Sequence, residues 1–413
     1  MELKHSHLIY DWNQQGAAFR PAGRVLLNDE SLRDGLQSPS VRDPSMEEKI
    51  KILHLMEALG INYLDLGLPG AGPRACEHVE RLAQEISRSR MKIRGNCAAR
   101  THQNDIRPIA EIQQKTGVRI EAATFIGSSP IRRYTEDWTD DFLLRTTEDA
   151  VKYARSLGLD VMYVTEDTVR SQPDDLRLLL TAAVHAGAKR VCLCDTVGAA
   201  VPQGVRNLVA WVKQLLAERG VADRVGIDWH GHRDRGLDVA NTLAALEAGA
   251  TRVHGTALGV GERVGNTPIE QLLVNLKLLG WRDDDLTTLP EYCAAVSRAV
   301  GVPVPANWPI VGRDAFRTAT GVHAAAVITA QRKGAAWLAD RVYSGVPASW
   351  VGRAQEIEVG HMSGGSNVLH YLRSHGLPTD QAVVDAVMAL AKRSERLLTE
   401  QEVVETVQAA TRR

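Results

Sequence analysis

Three side chains in the segment GIDWHGH have the types and the spacing of metal ligands. Asp228, His230 and His232 occur at every second position, so on a strand all three project from the same face. Two imidazoles at this spacing suit a divalent ion such as Zn, Mn, Fe or Mg, completed by carboxylate or carbonyl oxygens. The pattern alone is equally compatible with two strand histidines that hydrogen-bond to neighbouring loops.

A second group of candidates lies in LNDESLRDGLQ, at the end of the first apolar segment. Arg33 and Asp34 are adjacent, and side chains at adjacent strand-end positions point in different directions. Asp34 could therefore bind a metal while Arg33 faces a substrate oxygen, and Gln37, just after them, is a candidate for substrate binding. A surface ion pair at the start of a loop would give the same sequence.

The segment GVGERVGN, residues 259–266, is a third candidate because glycines surround its polar residues. Its glycine spacing misses the G-x-G-x-x-G dinucleotide fingerprint by one residue, which gives little support to nucleotide binding. A tight glycine loop could instead present Glu262, Arg263 and Asn266 to an active site. Asn266 could equally be a helix N-cap.

Two further apolar segments end in polar residues that could contact a substrate. Glu166, with Asp167, lies near the end of VMYVTEDT, and Asp195 and Thr196 begin DTVG. Either acid could also be a helix cap or part of a turn. Cys192 and Cys194 alternate on one strand, where core packing is the expected role.

The elements that must position these residues are short runs rich in Val, Ile and Leu, each followed by a stretch with helical periodicity. This alternation is typical of βα units on a parallel sheet. Nearly every run ends in polar residues, and barrel active sites form where the strands end. We therefore predict an α/β fold of the (β/α)8 TIM-barrel class with the candidate residues at one mouth. The eight runs are RVLLNDES, NYLDLGL, KIRGNCAAR, RIEAATFIG, VMYVTEDT, RVCLCDTVG, VGIDWHGH and RVHGTALGVG.

The domain organisation follows from where the alternation stops. After about Gly280 the sequence becomes more helical and is punctuated by prolines. We predict an N-terminal extension over residues 1–23, a barrel over 24–285 and a helical C-terminal region over 286–413. In the first helix of the barrel, Ser45 is the expected N-cap of SMEEKIKILHLMEALG.

Composition excludes several classes of protein. A formal charge of −1 over 413 residues provides no basic field for nucleic acid or an anionic membrane. The N-terminus has no signal-like apolar region, and no apolar run reaches the ~18 residues that could span a bilayer. Five cysteines without framework spacing fit a reducing compartment. We expect a soluble, cytoplasmic protein with no nucleic-acid or membrane partner.

Taken in order, the strings SLRDGLQ, EDTVR, DTVG, HGHRDRGLDVAN, GVGERVGN and FRTATGVH resemble a known family. It is the family of acyl-CoA-using metal-dependent barrels that includes isopropylmalate, homocitrate and citramalate synthases and, more distantly, hydroxymethylglutaryl-CoA lyase. The resemblance runs from about residue 25 to about residue 370. It implies a (β/α)8 barrel with a helical C-terminal region, a divalent metal (Mg, Mn or Zn), and acetyl-CoA and an α-keto acid as substrates.

The resemblance also implies roles for individual residues. The metal ligands would be Asp34, His230 and His232, with Asn266 near the ion. Arg33 would polarise the keto oxygen of the substrate. By the same resemblance, Glu166 and His323 would share the acid and base work on the acetyl methyl, with Tyr343 as an accessory. His323 would reach into the barrel of a partner subunit, which implies a homodimer.

The sequence departs from the family pattern after the fourth strand, in FIGSSPIRRY. Arg132 and Arg133 stand there, and arginine binds carboxylates bidentately, so we predict a keto acid with an anionic distal group, as in homocitrate synthases. Alternatively, both arginines pair with Glu136 or Asp137 on the surface. Arg100, at the end of the third strand, is a further substrate-binding candidate, as are Gln37 and Thr196.

Three other functions remain open at this point. One is a synthase of the isopropylmalate or citramalate type that takes an apolar keto acid. Another is a lyase that cleaves a hydroxyacyl-CoA by the reverse carbon–carbon step, since RDGLQ matches the lyase branch. The third is a barrel that binds metal and ligand without catalysis, because a fold does not fix a function.

Overall fold

The structure is a computed structural model that describes residues 8–14, 21 and 23–412. Most of the predicted N-terminal extension lies outside the described residues. The chain divides into two compact units, Met1–Asp284 with Ala299–Gly301, and Asp285–Arg298 with Val302–Arg413. No helix of the described residues is long and apolar enough to cross a membrane.

The first unit contains a closed barrel of eight parallel strands in sequence order, in which the last strand pairs with the first. The register places Asn28 opposite both Tyr63 and His254. All eight strands fall on the predicted apolar runs, so the TIM-barrel prediction is confirmed. The strands are β1 (Leu26–Asp29), β2 (Tyr63–Asp65), β3 (Arg94–Arg100), β4 (Ile120–Gly127), β5 (Asp160–Glu166), β6 (Arg190–Asp195), β7 (Gly226–Gly231) and β8 (Arg252–Gly255).

Helices connect successive strands of this barrel. The first shows why the chain turns helical where it does: the Ser45 hydroxyl accepts the Glu48 N–H and the Glu48 carboxylate accepts the Ser45 N–H. This capping box confirms the predicted N-cap and satisfies two otherwise unpaired donors. The helices are α1 (Met46–Ala58), α2 (Pro73–Arg88), α3 (Gln103–Thr116), α4 (Pro130–Thr135), α5 (Asp140–Ser156), α6 (Pro173–Ala186), α7 (Pro202–Glu218), α8 (Asp238–Ala248) and α9 (Ile269–Leu278).

The second unit is mainly helical, as predicted. The two-residue strands β9 (Arg317–Thr318) and β10 (Glu356–Ile357) pair in parallel. Val368, Leu372, Val387 and Val403 lie in a shared apolar core near the C-terminus. The helices after α9 are α10 (Leu289–Val300), α11 (Gly321–Arg332), α12 (Ala336–Ala339), α13 (Gly365–Ser374), α14 (Gln381–Arg393) and α15 (Glu400–Thr411).

Charged side chains occupy part of the barrel interior. Arg252 of β8 is fully buried and is paired with Asp228 of β7 and, at 2.5 Å, with Glu121 of β4. Arg190 also pairs with Asp228. Burial alone would raise the pKa of Asp228, but the two guanidinium groups hold it well below its usual range. Asp228 therefore stays ionised and neutralises the buried Arg252 and the partly buried Arg190, rather than binding a metal.

We expect Asp228→Asn to lower the free energy of unfolding by about 3–5 kcal/mol, because it leaves buried guanidinium charge without its carboxylate. Urea denaturation monitored by circular dichroism measures the change. The control is Asp141→Asn, which removes an exposed ion pair with Arg145 and should have little effect. Equal stabilities for the two variants would contradict this account of the barrel interior.

Candidate active site

A cavity of about 270 Å³ lies at the carboxyl ends of the barrel strands. All of its lining residues belong to the first unit. Its polar lining is Glu30, Arg33, Asp34, Gln37, Asp65, Glu166, Thr196, His230, His232, His254 and Glu262. The mouth of the barrel thus gathers residues from strands distant in sequence, as the pattern of polar strand ends predicts.

Three of these residues converge in the manner of metal ligands. The Nε2 atoms of His230 and His232 lie 3.2 Å apart, and each is 3.9 Å from Asp34 Oδ2. Asn266 donates from Nδ2 to the same carboxylate oxygen at 2.6 Å, while its buried Oδ1 has no hydrogen-bond partner among the described residues. A buried group of two imidazoles and a carboxylate, with the amide of Asn266 beside it, suits a divalent cation.

The two imidazoles differ in their electrostatics. Burial lowers the pKa of His232 to about 4, helped by the charge of His230. Burial acts on His230 in the same direction, but the carboxylates of Glu30 and Asp34 raise its pKa to about 10. In the metal-free protein, protonated His230 can therefore donate from Nε2 to neutral His232.

Glu30 and His254 lie beneath this group and were not singled out from the sequence. Glu30 Oε2 is 2.7 Å from His230 Nδ1, and Glu30 Oε1 is 2.8 Å from His254 Nδ1. On its other side, His254 Nε2 lies 2.9 Å from Asp228 Oδ2. Glu30, His230 and His254 form a second buried group that could hold an ion. The sequence contained a signal for His254, because His254 and Arg252 are ionisable residues two positions apart on a predicted core strand.

Arg33 is held between acids at the ends of β1 and β2. Its Nε donates to Asp65 Oδ2 at 2.7 Å, and its Nη1 donates to Asp34 Oδ1 at 2.6 Å. Burial raises the pKa of Asp65 to about 6 despite the neighbouring guanidinium. These contacts fix a cation beside the candidate metal ligands, where it could face a substrate oxygen.

Glu166 lies at the end of β5 with 35% of its side chain exposed. Burial raises its pKa, whereas Arg132, 3.5 Å away through Nε, lowers it. A partly desolvated carboxylate in a cavity is a candidate for proton transfer. Thr196, on the neighbouring strand end, accepts the backbone N–H of Asp167 at 2.8 Å and so fixes the turn after Glu166.

The glycine loop, residues 259–266, brings Asn266 to the metal group. Gly265 has a φ of +101°, and a Cβ there would overlap the carbonyl of Gly259. A Cβ on Gly261 would likewise overlap Oδ1 of Asn266. The glycines thus serve close backbone packing. Arg263 pairs with Asp234, and Glu262 lines the cavity.

The remaining predicted arginines do not line the cavity in the described part of the chain. Arg100 forks onto Asp105 at 2.7 and 2.9 Å and is 65% exposed. Arg133 pairs with Asp140 and, at 2.6 Å, with Asp175. Arg132 pairs with Glu136 at 2.6 Å, the surface alternative considered above, although it also approaches Glu166.

The wall of the cavity across from the metal group is apolar. It consists of apolar side chains on β3, β4 and β5, one of them an aromatic ring, and two thiols of β6 line the cavity beside β7. Cys192 and Cys194 are buried, as expected, but they line the cavity rather than a remote core. The other wall residues are Ala98, Ala123, Phe125, Met162 and Val164.

His323 and Tyr343 belong to the second unit. Their rings stack with centroids 4.1 Å apart, and Tyr343 is 50% exposed. His323, on α11, is exposed as well. The structure therefore brings these two predicted residues together as a pair on the surface of their unit.

Comparisons with known proteins show the family to which the chain belongs. The HMGL-like family profile matches residues 24–296. Homocitrate synthase AksA of Methanopyrus kandleri is 31% identical over 371 residues, covering 89% of this chain and 87% of its own length. A probable 2-isopropylmalate synthase of Ignicoccus hospitalis is 33% identical over 373 residues, with the same two coverages.

Among solved structures, the HMG-CoA lyase of Bacillus subtilis matches with a TM-score of 0.57 at 21% sequence identity. That match covers 69% of this chain and 97% of the lyase chain, and it bears on the fold alone. The family assignment rests on the profile match and on the two synthases. The chain belongs to the HMGL-like family, and its relatives include a homocitrate synthase and a probable 2-isopropylmalate synthase.

Proposed function

We propose that the protein condenses acetyl-CoA with an α-keto acid and hydrolyses the product thioester. The products are CoA and a 2-hydroxy acid that has one more carboxylate than the keto acid. The acetyl group thus becomes an alkyl group on transfer. The observation that carries the proposal is the convergence of Asp34, His230 and His232 beside Arg33 and Glu166 in one cavity. The named synthases among its relatives support the same reaction class.

The residues at the mouth supply what this condensation needs. A divalent ion held by Asp34, His230 and His232 would polarise the keto group as a Lewis acid. Arg33 would donate to the keto oxygen as negative charge develops there, and Asp65 keeps its guanidinium oriented. Asn266 would lie near the ion.

Glu166 would remove a proton from the methyl of acetyl-CoA. The resulting enolate carbon attacks the keto carbon, a C–C bond forms, and the carbonyl electron pair becomes an alkoxide that takes up a proton. Water then cleaves the thioester, and CoA leaves as the thiol. The raised pKa of Glu166 supports this role, because a base is most effective when its pKa approaches the working pH.

The cavity favours a keto acid with an apolar side chain over the predicted anionic one. Arg133 forms ion pairs with two aspartates of neighbouring helices, and Arg132 forms ion pairs with Glu136 and Glu166. Phe125, Met162 and Val164 line the wall across from the metal ligands instead. A distal carboxylate placed there would be desolvated without a partner.

Thiol release from acetyl-CoA, with Mg²⁺ or Mn²⁺ present, tests the proposed reaction. We expect release with pyruvate or 2-oxoisovalerate and little with 2-oxoglutarate or oxaloacetate, with products confirmed by mass spectrometry. Release with only a diacid would restore the anionic substrate and a role for Arg132. Cleavage of a hydroxyacyl-CoA without any thiol release from acetyl-CoA would establish the lyase instead.

The pH dependence of kcat/KM tests Glu166 as the base. The positive charge of Arg132 lowers the pKa of Glu166, so Arg132→Ala should raise it and move the acid limb of the profile to higher pH. Arg145→Ala, which removes an exposed arginine paired with Asp141, is the control and should leave the limb in place. An unmoved limb in Arg132→Ala would exclude this pairing from catalysis.

We further propose that the exposed pair of His323 and Tyr343 completes the site of a partner subunit in a homodimer. Mixing Glu166→Gln with His323→Ala tests this, because a mixed dimer then has one intact site. After subunit exchange, activity should return to about a quarter of the wild-type value, as random pairing of two chains requires. No recovery in a mixture shown to exchange subunits would place both residues in the site of one chain.

A further inference from the structure

The buried carboxylate of Glu30 bridges two imidazoles below the metal group. It is 3% exposed, and its two oxygens lie 2.7 Å from His230 Nδ1 and 2.8 Å from His254 Nδ1. These are hydrogen-bond distances, and a carboxylate placed between two ring nitrogens accepts a hydrogen bond from each of them. Both Nδ1 atoms must therefore carry the hydrogen of these bonds.

This hydrogen bond decides which nitrogen of His230 can bind a metal once the ring is neutral. A neutral imidazole that donates from Nδ1 presents its lone pair at Nε2. Nε2 is the atom of His230 that faces Asp34 Oδ2 and His232. The other imidazole of the group lacks such a partner, since His232 Nδ1 is buried without a hydrogen bond among the described residues.

Glu30 is itself held from below. His254 Nε2 is 2.9 Å from Asp228 Oδ2, and Asp228 pairs with Arg252 and Arg190. Within the barrel, the carboxylates of Asp228 and Glu121 balance the guanidinium groups of Arg252 and Arg190. The bond from Glu30 to His230 joins this buried network directly to a candidate metal ligand.

We propose that Glu30 is a positioning residue that fixes the tautomer and ring orientation of His230 for metal binding, with His254 as the brace that holds Glu30 in place. Carboxylates that accept from the outer nitrogen of a ligating histidine also raise its basicity toward the metal. The inference rests on the proposed function only through the metal site formed by Asp34, His230 and His232.

Binding of Co²⁺ to the metal-free protein tests the proposal without an activity assay. Glu30→Gln should weaken Co²⁺ binding by about 10- to 100-fold and alter the visible absorption of the complex. The matched control is Glu121→Gln, which removes a carboxylate at the far end of the same network, where it contacts Arg252. Urea denaturation of both metal-free variants shows how much stability each substitution costs.

Each outcome separates one explanation from the others. If Glu30→Gln binds Co²⁺ with wild-type affinity, the positioning role is overturned. It is also overturned if Glu121→Gln weakens Co²⁺ binding as much as Glu30→Gln does, because disruption of the network alone would then account for the loss. Two ions per wild-type chain would overturn it as well, by assigning Glu30, His230 and His254 as a second site. Unchanged binding in Asp34→Asn would instead refute the metal site and the proposed function with it.

A second test uses the wild-type protein and so does not depend on whether a variant folds. In Zn²⁺-loaded protein labelled with ¹⁵N-histidine, the nitrogen shifts distinguish a protonated Nδ1 from a metal-bound one. We expect His230 to be protonated at Nδ1 and metal-bound at Nε2. Metal on Nδ1 of His230 would overturn the proposal.

Discussion

The rest of the structure depends on how charge is buried inside the barrel. Asp228 and Glu121 neutralise Arg252, His254 bridges Asp228 to Glu30, and Glu30 reaches His230. A buried charge is tolerated only when its partners are fixed, so each of these side chains restrains the next. At the mouth of the barrel, Glu30 thereby orients the imidazole of His230, and Asp65 orients the guanidinium of Arg33.

Much of the fold could be predicted because its signals are local and periodic. The period of two in GIDWHGH places His230 and His232 on one strand face, and Ser45 with Glu48 marks a helix start within four residues. The closure of the barrel then brings Asp34 to both imidazoles. The convergence of Asp34, His230 and His232 could be predicted because they lie at or shortly after the ends of β1 and β7, and parallel strands end at one mouth.

The contacts that sequence could not reveal join residues far apart in the chain. Nothing near Glu30 indicates that it accepts from His230, two hundred residues away. Arg133 was expected to bind a substrate, but its guanidinium pairs with Asp175, forty-two residues further along. Asp228 shares a strand face with the two histidines proposed as metal ligands, yet arginines neutralise it. In each case a partner distant in the sequence, rather than the local pattern, determines the role.

The central claim is that the cation binds where Asp34 meets the Nε2 atoms of His230 and His232. An anomalous difference map from crystals of the Mn²⁺-loaded protein tests this claim most directly. We predict a single peak in the barrel bonded to Asp34, His230 and His232, with Glu30 still bonded to Nδ1 of His230. A peak among Glu30, His230 and His254 instead would contradict both the assignment of the ligands and the positioning role of Glu30.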